Sequence, residues 1–263
     1  MYQLQTEERK KAPLLDFAYL GRIDEFLKRL REMAMPENWN YSRTHTTRPL
    51  PILYNYLNHT FMRLKEQGKV IEASGFHCFN TGLITDHQQE IFAVFKEDEK
   101  RIRFMKFCRE SDNTMSYYSS LPERATYFTN PADLIFDNRL DFRIKIDHII
   151  GDEANFSRFP VEIQQLSQHQ LINTFNGALE HAKKRINRNY KTAIPQFYRG
   201  QYVPQGQLQL LLPLCLIEPY QADLALTIYK ENNFYSGRTC LTLDMAINNA
   251  RLIAKPDDEW LKP

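Results

Sequence analysis

The chain has 263 residues, with 34 Lys and Arg against 32 Asp and Glu, for a formal net charge of +2. That length is enough for one large domain or two small ones, and the near-neutral balance excludes a surface coated in basic charge while permitting a local basic patch. Nine glycines argue against glycine-rich phosphate cradles, and the four cysteines, Cys78, Cys108, Cys215 and Cys240, form no C-x-x-C pair, so they read as reduced, buried thiols and not as zinc ligands.

The first elements are helical. Leu14, Leu15, Phe17, Ala18 and Leu20 cluster, and Ile23, Phe26, Leu27 and Leu30 then recur at helical spacing until Pro36. Asp24 and Glu25 lie early in that segment and Lys28, Arg29 and Arg31 late, as the helix dipole favours. A second helix is expected from Pro49 to Pro51, through Ile52, Tyr56, Phe61 and Leu64, to a stop at Gly68. Residues 76–84, 90–95 and 102–108 read as strands, the last two joined as a hairpin by the charged run 96–100. Residues 111–120 form a polar loop, and Asn130-Pro131 marks a turn. Residues 142–150 alternate apolar side chains with Arg143, Lys145 and Asp147, which is the pattern of a strand or of a strand entering a loop.

From 160 to 190 the period is helical again, with Ile163, Leu166, Leu171, Phe175, Ala178 and Ala182 on the apolar face. Residues 208–215, 224–229 and 239–243 read as strands, with Tyr235-Ser236-Gly237 as a tight turn. A helix over 245–253 and a docked Trp260 close the chain. The expected fold is α+β: N-terminal helices packed on a mixed or antiparallel sheet, with a long central helical segment. Residues 1–70 are expected to form a helical lobe on an α+β body over 71–263, in one continuous globular unit. The N-terminal stretch MYQLQTEERKK is polar, and the longest apolar run, 208–217, is broken by Gln209 and Pro213. Neither suits export or a membrane span, so a cytoplasmic protein without a membrane partner is expected.

The strongest anomaly lies between Glu180 and Glu218, a stretch with no acidic residue inside it. It carries Lys183, Lys184, Arg185, Arg188, Lys191 and Arg199, interleaved with Tyr190, Phe197 and Tyr198. Cations beside planar side chains suit a phosphate backbone with stacked bases. Lys184, Arg188 and Lys191 are spaced to share a helix face. The competing reading is a solvated helix face whose charges complement the dipole. A second candidate is Phe79-Asn80-Thr81-Gly82-Leu83, where an apolar strand is interrupted by polar groups that can meet a ligand, or by a β-bulge. His77 shares that strand face and reads as a hydrogen-bonded core residue.

Third, Asn248, Asn249 and Arg251 follow an N-cap at Asp244 and can project an amide and a guanidinium together, or serve internal hydrogen bonds. Fourth, Asp147-His148, with Arg158 nearby in sequence, is a weak acid/base signal, His148 being the single catalytic candidate. No G-x-S-x-G, Walker A, G-x-G-x-x-G or H-E-x-x-H motif is present, and His45, His59, His87, His169 and His181 lack metal-ligand spacing. No metal and no cofactor is therefore expected.

Three blocks resemble a known family. Phe79-Asn80-Thr81-Gly82-Leu83 with residues 90–95 is one, and Asp147-His148-Ile149-Ile150 with Arg158-Phe159-Pro160 the second. The third runs from Ala182 through Arg188-Asn189-Tyr190-Lys191 and Pro195-Gln196-Phe197-Tyr198 to Leu211-Leu212-Pro213 and then Asn248-Asn249-Ala250-Arg251. Together they resemble the bacterial family catalogued as domain of unknown function 3825, over most of the chain from about residue 50. Members are joined to RNA-associated modules, so the resemblance implies an RNA-linked role by association; no cold-shock module is apparent here. It implies no catalytic residues.

The expected function is RNA or RNA-derived nucleotide binding. Lys184, Arg188 and Lys191 would meet phosphates, and Tyr190 or Tyr198 a base. Asn80, Thr81, Gly82, Asn189, Asn249 and Arg251 would line a polar pocket nearby. One alternative is a metal-independent phosphoester or nucleotide hydrolase using His148. The other is a protein-interaction module, forming a homodimer or meeting a protein partner through Phe17, Tyr19, Phe26 and Leu30.

Overall fold

A computed structural model describes residues 12–44, 46–200, 203–256 and 260–261. The polar N-terminal stretch and His45, read above from sequence, lie outside them. The chain forms two compact units. The first takes the described residues up to Asn40 together with 46–126, and the second takes 41–44 together with the described residues from Tyr127 onward.

The first unit opens with α1 (Pro13–Phe17), α2 (Ile23–Met33) and α3 (Pro51–Glu66). Asp24 and Glu25 sit in the first turn of α2 and Arg31 in its last, the arrangement the macrodipole stabilises. Pro51 occupies the first turn of α3, where its missing N–H costs nothing. Gly68, at φ +66°, turns the chain so that Lys69 N–H donates to Leu64 O at 2.9 Å. Then come β1 (Ile71–Ala73), β2 (Phe76–Ile84), β3 (Glu90–Glu97) and β4 (Ile102–Arg109), an antiparallel sheet in sequential order. The expected helical lobe does not stand apart at residue 70. Phe26 of α2 packs on Phe104 and Phe107 of β4, with centroids 4.6 and 4.9 Å away, and Phe61 of α3 packs on Phe79 of β2 at 5.2 Å. The apolar faces of these helices have the sheet as their partner, so helices and sheet are one unit.

The second unit holds β5 (Asp141–Ile144), α4 (Ile146–Gly151), α5 (Glu153–Phe156), α6 (Val161–Gln164) and α7 (Gln168–Arg188), then β6 (Ile194–Gly200), β7 (Val203–Leu214), β8 (Leu224–Glu231), β9 (Phe234–Thr242) and α8 (Leu243–Arg251). Its sheet has the order β5-β9-β8-β7-β6, antiparallel except for the parallel β5–β9 pair. The molecule is thus α+β, with N-terminal helices on a sheet and a long central helix, but it carries two sheets and not one. Ser167 and Gln170 form a capping box that starts α7. Its inward residues, among them Leu171, Phe175 and Ile186, meet Leu210, Leu212, Leu226 and Ile228. Strand alternation puts Gln209 on the opposite sheet face. There Gln209 Oε1 accepts from Gln196 at 2.8 Å, and Gln196 Oε1 accepts from Asn249 of α8 at 3.0 Å.

Two readings need correction. Residues 142–150 are not one strand. β5 pairs with β9 only from Asp141 to Ile144, and Ile146, Ile149 and Ile150 then follow helical spacing in α4, which carries Asp147 and His148. Tyr235-Ser236-Gly237 is no turn but lies inside β9, paired with both β8 and β5. The reversal is Asn232-Asn233, with Asn232 in the left-handed region at φ 45°, which asparagine tolerates better than most residues. β6, unforeseen as a strand, buries the polar Gln196 completely.

Candidate functional site

The C-terminal end of α7 feeds a short 3-10 turn, Tyr190–Thr192, and then β6. Asn189 holds this junction: its own N–H caps the helix on Arg185 O, and its Oδ1 accepts from Lys191 N–H at 3.2 Å. Trp260 anchors the same turn, its Nε1–H donating to Thr192 O at 2.9 Å. Across from it, Asp223 accepts from the N–H groups of Leu216 and Ile217 at 2.7 and 3.1 Å, closing the loop that presents Tyr220. Between these elements lies a cleft of about 1120 Å³.

Its walls carry Lys184, Arg185, Arg188, Lys191 and Lys255, with His181 beside them and no carboxylate among the described residues. None of the five cations makes an ion pair among the described residues. Lys183, one residue along α7, is different: it binds Glu180 at 2.7 Å, and that contact holds the Glu180 carboxyl below its ordinary range. Tyr190 and Tyr220 flank the cleft, 54% and 90% exposed. Cations without counter-ions beside open aromatic faces can hold phosphate and stack a planar base. The half-buried Cys215 thiol is pushed up by desolvation, with Arg185 opposing the shift.

The eleven binding residues read from sequence do not converge. Lys184, Arg188, Asn189, Tyr190 and Lys191 all line the cleft. Tyr198 lies farther along β6 and is exposed, but it does not line the cleft. Asn249 is committed to Gln196, and Arg251, half-buried at the end of α8, already interacts within the protein. His148 is exposed on α4 and does not line the cleft. Sequence reasoning left Arg185, His181, Tyr220 and Lys255 out of the site. Arg185 stood in the basic stretch, but Tyr220 and Lys255 come from separate segments that share no pattern with it.

Asn80, Thr81 and Gly82 belong to the first unit, where they build a bulge. The β2–β3 register shifts between Asn80 and Ile84, with Gly82 at φ +74°. Asn80 and Thr81 are fully buried. Asn80 Nδ2 donates to Glu90 at 2.9 Å and to Pro122 O at 3.2 Å, while its Oδ1 accepts from Gly82 N–H. Thr81 donates to Ile91 O, and Tyr56 Oη donates to Thr81 O. Every one of these groups is spent inside the unit. His77 nearby is flanked by Glu97 at 3.4 Å and Glu72 at 3.9 Å. The three could together offer a metal ion one nitrogen and two oxygens within 4.8 Å of one another, although both ring nitrogens already face a carboxylate.

No helix among the described residues is long and apolar enough to cross a membrane. No curated protein and no solved structure is significantly similar to the chain. The profile of one family, described as domain of unknown function DUF3825, matches residues 30–260, which takes in the cleft's walls and the bulge alike. With nearly its whole length matched, the chain belongs to the DUF3825 family.

Proposed function

We propose that the second unit binds RNA or an RNA-derived nucleotide in the cleft at the end of α7. The observation that carries this reading is the lining: five cations, no carboxylate among the described residues, and no ion pair to neutralise any of the five. Such a site attracts a polyanion, and its affinity comes largely from released counter-ions. Tyr190 and Tyr220 supply π-faces that accept any base. The acidic side chain on α7, Glu180, is held by Lys183 at 2.7 Å and acts on Lys184 only through its longer-range field.

The test is binding of labelled single-stranded RNA, followed by fluorescence anisotropy between about 50 and about 200 mM salt. Affinity is expected to fall steeply with salt, and Arg188→Ala to lower the slope of log K against log salt by about 0.7, the value for one phosphate contact on a single strand. An affinity indifferent to salt, or no binding at the lowest salt, would defeat the reading.

A further inference from the structure

The cleft is not the last polar concavity along α7. A groove of about 530 Å³ opens beside the same helix, lined by Asn138, Asp141, Phe142, Arg143, Lys183 and Asn187. The buried line Ala182–Ile186 sets the inward direction of α7. At about 100° per residue, Lys183 and Asn187 then fall on one flank, Lys184 and Arg188 on the outward side, and His181 and Arg185 on the other flank. Cations therefore stand on both flanks and the outward side of the helix, with Glu180 falling between Lys183 and Lys184 by the same spacing.

The groove has the cleft's ingredients in a weaker form. Arg143 lies 3.8 Å over the ring of Phe234 and makes no ion pair among the described residues. Lys183 lies 5.4 Å over the ring of Phe142. Asp141 is present and Glu180 engages Lys183, so Arg143 is the cation there that remains available. The cleft alone exceeds the volume usual for a site that encloses one small molecule, and the groove adds about half as much again.

We propose that cleft and groove are the two ends of one track, along which a single strand crosses the C-terminal half of α7. The ligand is then a polynucleotide segment and not a free mononucleotide. This rests on the RNA reading above and adds to it a substrate class and a second contact region. In the track Arg188 and Lys184 hold phosphates at the crest, Tyr190 offers its face to a base in the cleft, and Arg143, its guanidinium stacked on Phe234, holds a phosphate at the far end.

The experiment compares RNA oligomers of about three and about ten nucleotides, the longer one within the site sizes usual for single-strand binders. Each is titrated against wild type, Arg143→Ala, Arg143→Lys and Arg188→Ala, with melting temperatures as a control for folding. The longer oligomer is expected to bind about tenfold tighter. Arg143→Ala should weaken it severalfold, cut its salt slope by about 0.7 and leave the short oligomer unchanged. Arg143→Lys should restore the slope, and Arg188→Ala should weaken both oligomers. Equal affinity for the two lengths, a silent Arg143→Ala on the longer one, or an equal loss on both would overturn the track and leave the cleft reading intact. If neither oligomer binds wild type, the RNA reading itself falls and the track falls with it.

Discussion

Asn80-Thr81-Gly82 and Arg188-Asn189-Tyr190 look alike on paper: each is a short polar break between apolar segments. In the fold they are opposites. Asn80 and Thr81 are sealed, and their donors and acceptors meet Glu90, Pro122, Gly82, Ile91 and Tyr56. Arg188 and Tyr190 stand open at a cleft and spend nothing on neighbouring carboxylates. A buried polar group without a partner is costly, so burial forces a break to consume its own hydrogen-bonding capacity. Where the capacity goes, and not which residues carry it, separates a sealed break from one left open to a ligand.

Substitutions can break this contrast. Gly82→Ala should have the largest effect. A Cβ there would meet the Tyr56 hydroxyl, on a backbone at φ +74°, and overpacking adds to left-handed strain. A loss of about 3 kcal/mol is expected in urea unfolding, and a loss below about 0.5 kcal/mol would mean the bulge relaxes freely. The double substitution Arg188→Ala, Lys191→Ala should do the reverse. It should cost about tenfold in RNA affinity, near 1.4 kcal/mol, while stability stays within about 0.5 kcal/mol. A marked drop in melting temperature would show that these cations hold the fold together.

Asp112→Asn sharpens the contrast, because Asp112 represents the first unit's way of using charge. Its carboxylate accepts from Thr114 N–H at 2.9 Å and from Lys106 at 3.0 Å. These contacts, the backbone one first, hold its pKa at about 2, below the ordinary carboxylate value. The stabilisation is therefore present above about pH 4 and is lost as pH falls through about 2. The Lys106 pair is partly exposed and screened, and asparagine keeps an Oδ1 that can cap Thr114 N–H, so the substitution removes the charge alone and should cost about 0.5 kcal/mol at pH 7. Urea midpoints of variant and wild type should converge as the pH drops below 4, and a constant gap would assign the effect to something other than the charge.

Helices α2, α3 and α7 were legible from apolar spacing, helped by the early acids of α2 and by the leading prolines and the Gly68 stop of α3, whereas the cap of α8 is Thr242 and not the expected Asp244. So was the basic side of the cleft, since Lys184, Arg188, Asn189, Tyr190 and Lys191 fall within eight residues of one another along the chain. What failed to show was whatever depends on distant pairing. β6 escaped because Gln196 in a strand reads as solvent-facing until Gln209 and Asn249 are brought to it. The Asn232-Asn233 reversal was passed over in favour of Gly237, whose small size serves a different end: an added Cβ would meet the Ile144 side chain 2.7 Å away on β5. Tyr220 and Lys255 reach the cleft only through the fold. The bulge was visible, but its burial was not, because Tyr56 and Pro122 supply partners from elsewhere.

The parallel pairing of β5 with β9 sets an order of assembly. All four strands of the first sheet are available once residue 109 has been made. β5 follows soon after, yet its strand neighbour among the described residues begins at Phe234, some ninety residues downstream. Closing so long a loop is slow. On a ribosome, where N-terminal units fold first, the first sheet can complete itself while β5 waits unpaired until nearly the whole chain has emerged. A nascent chain arrested within α7 would carry one finished sheet and, for the other, a single strand with its partner still unwritten.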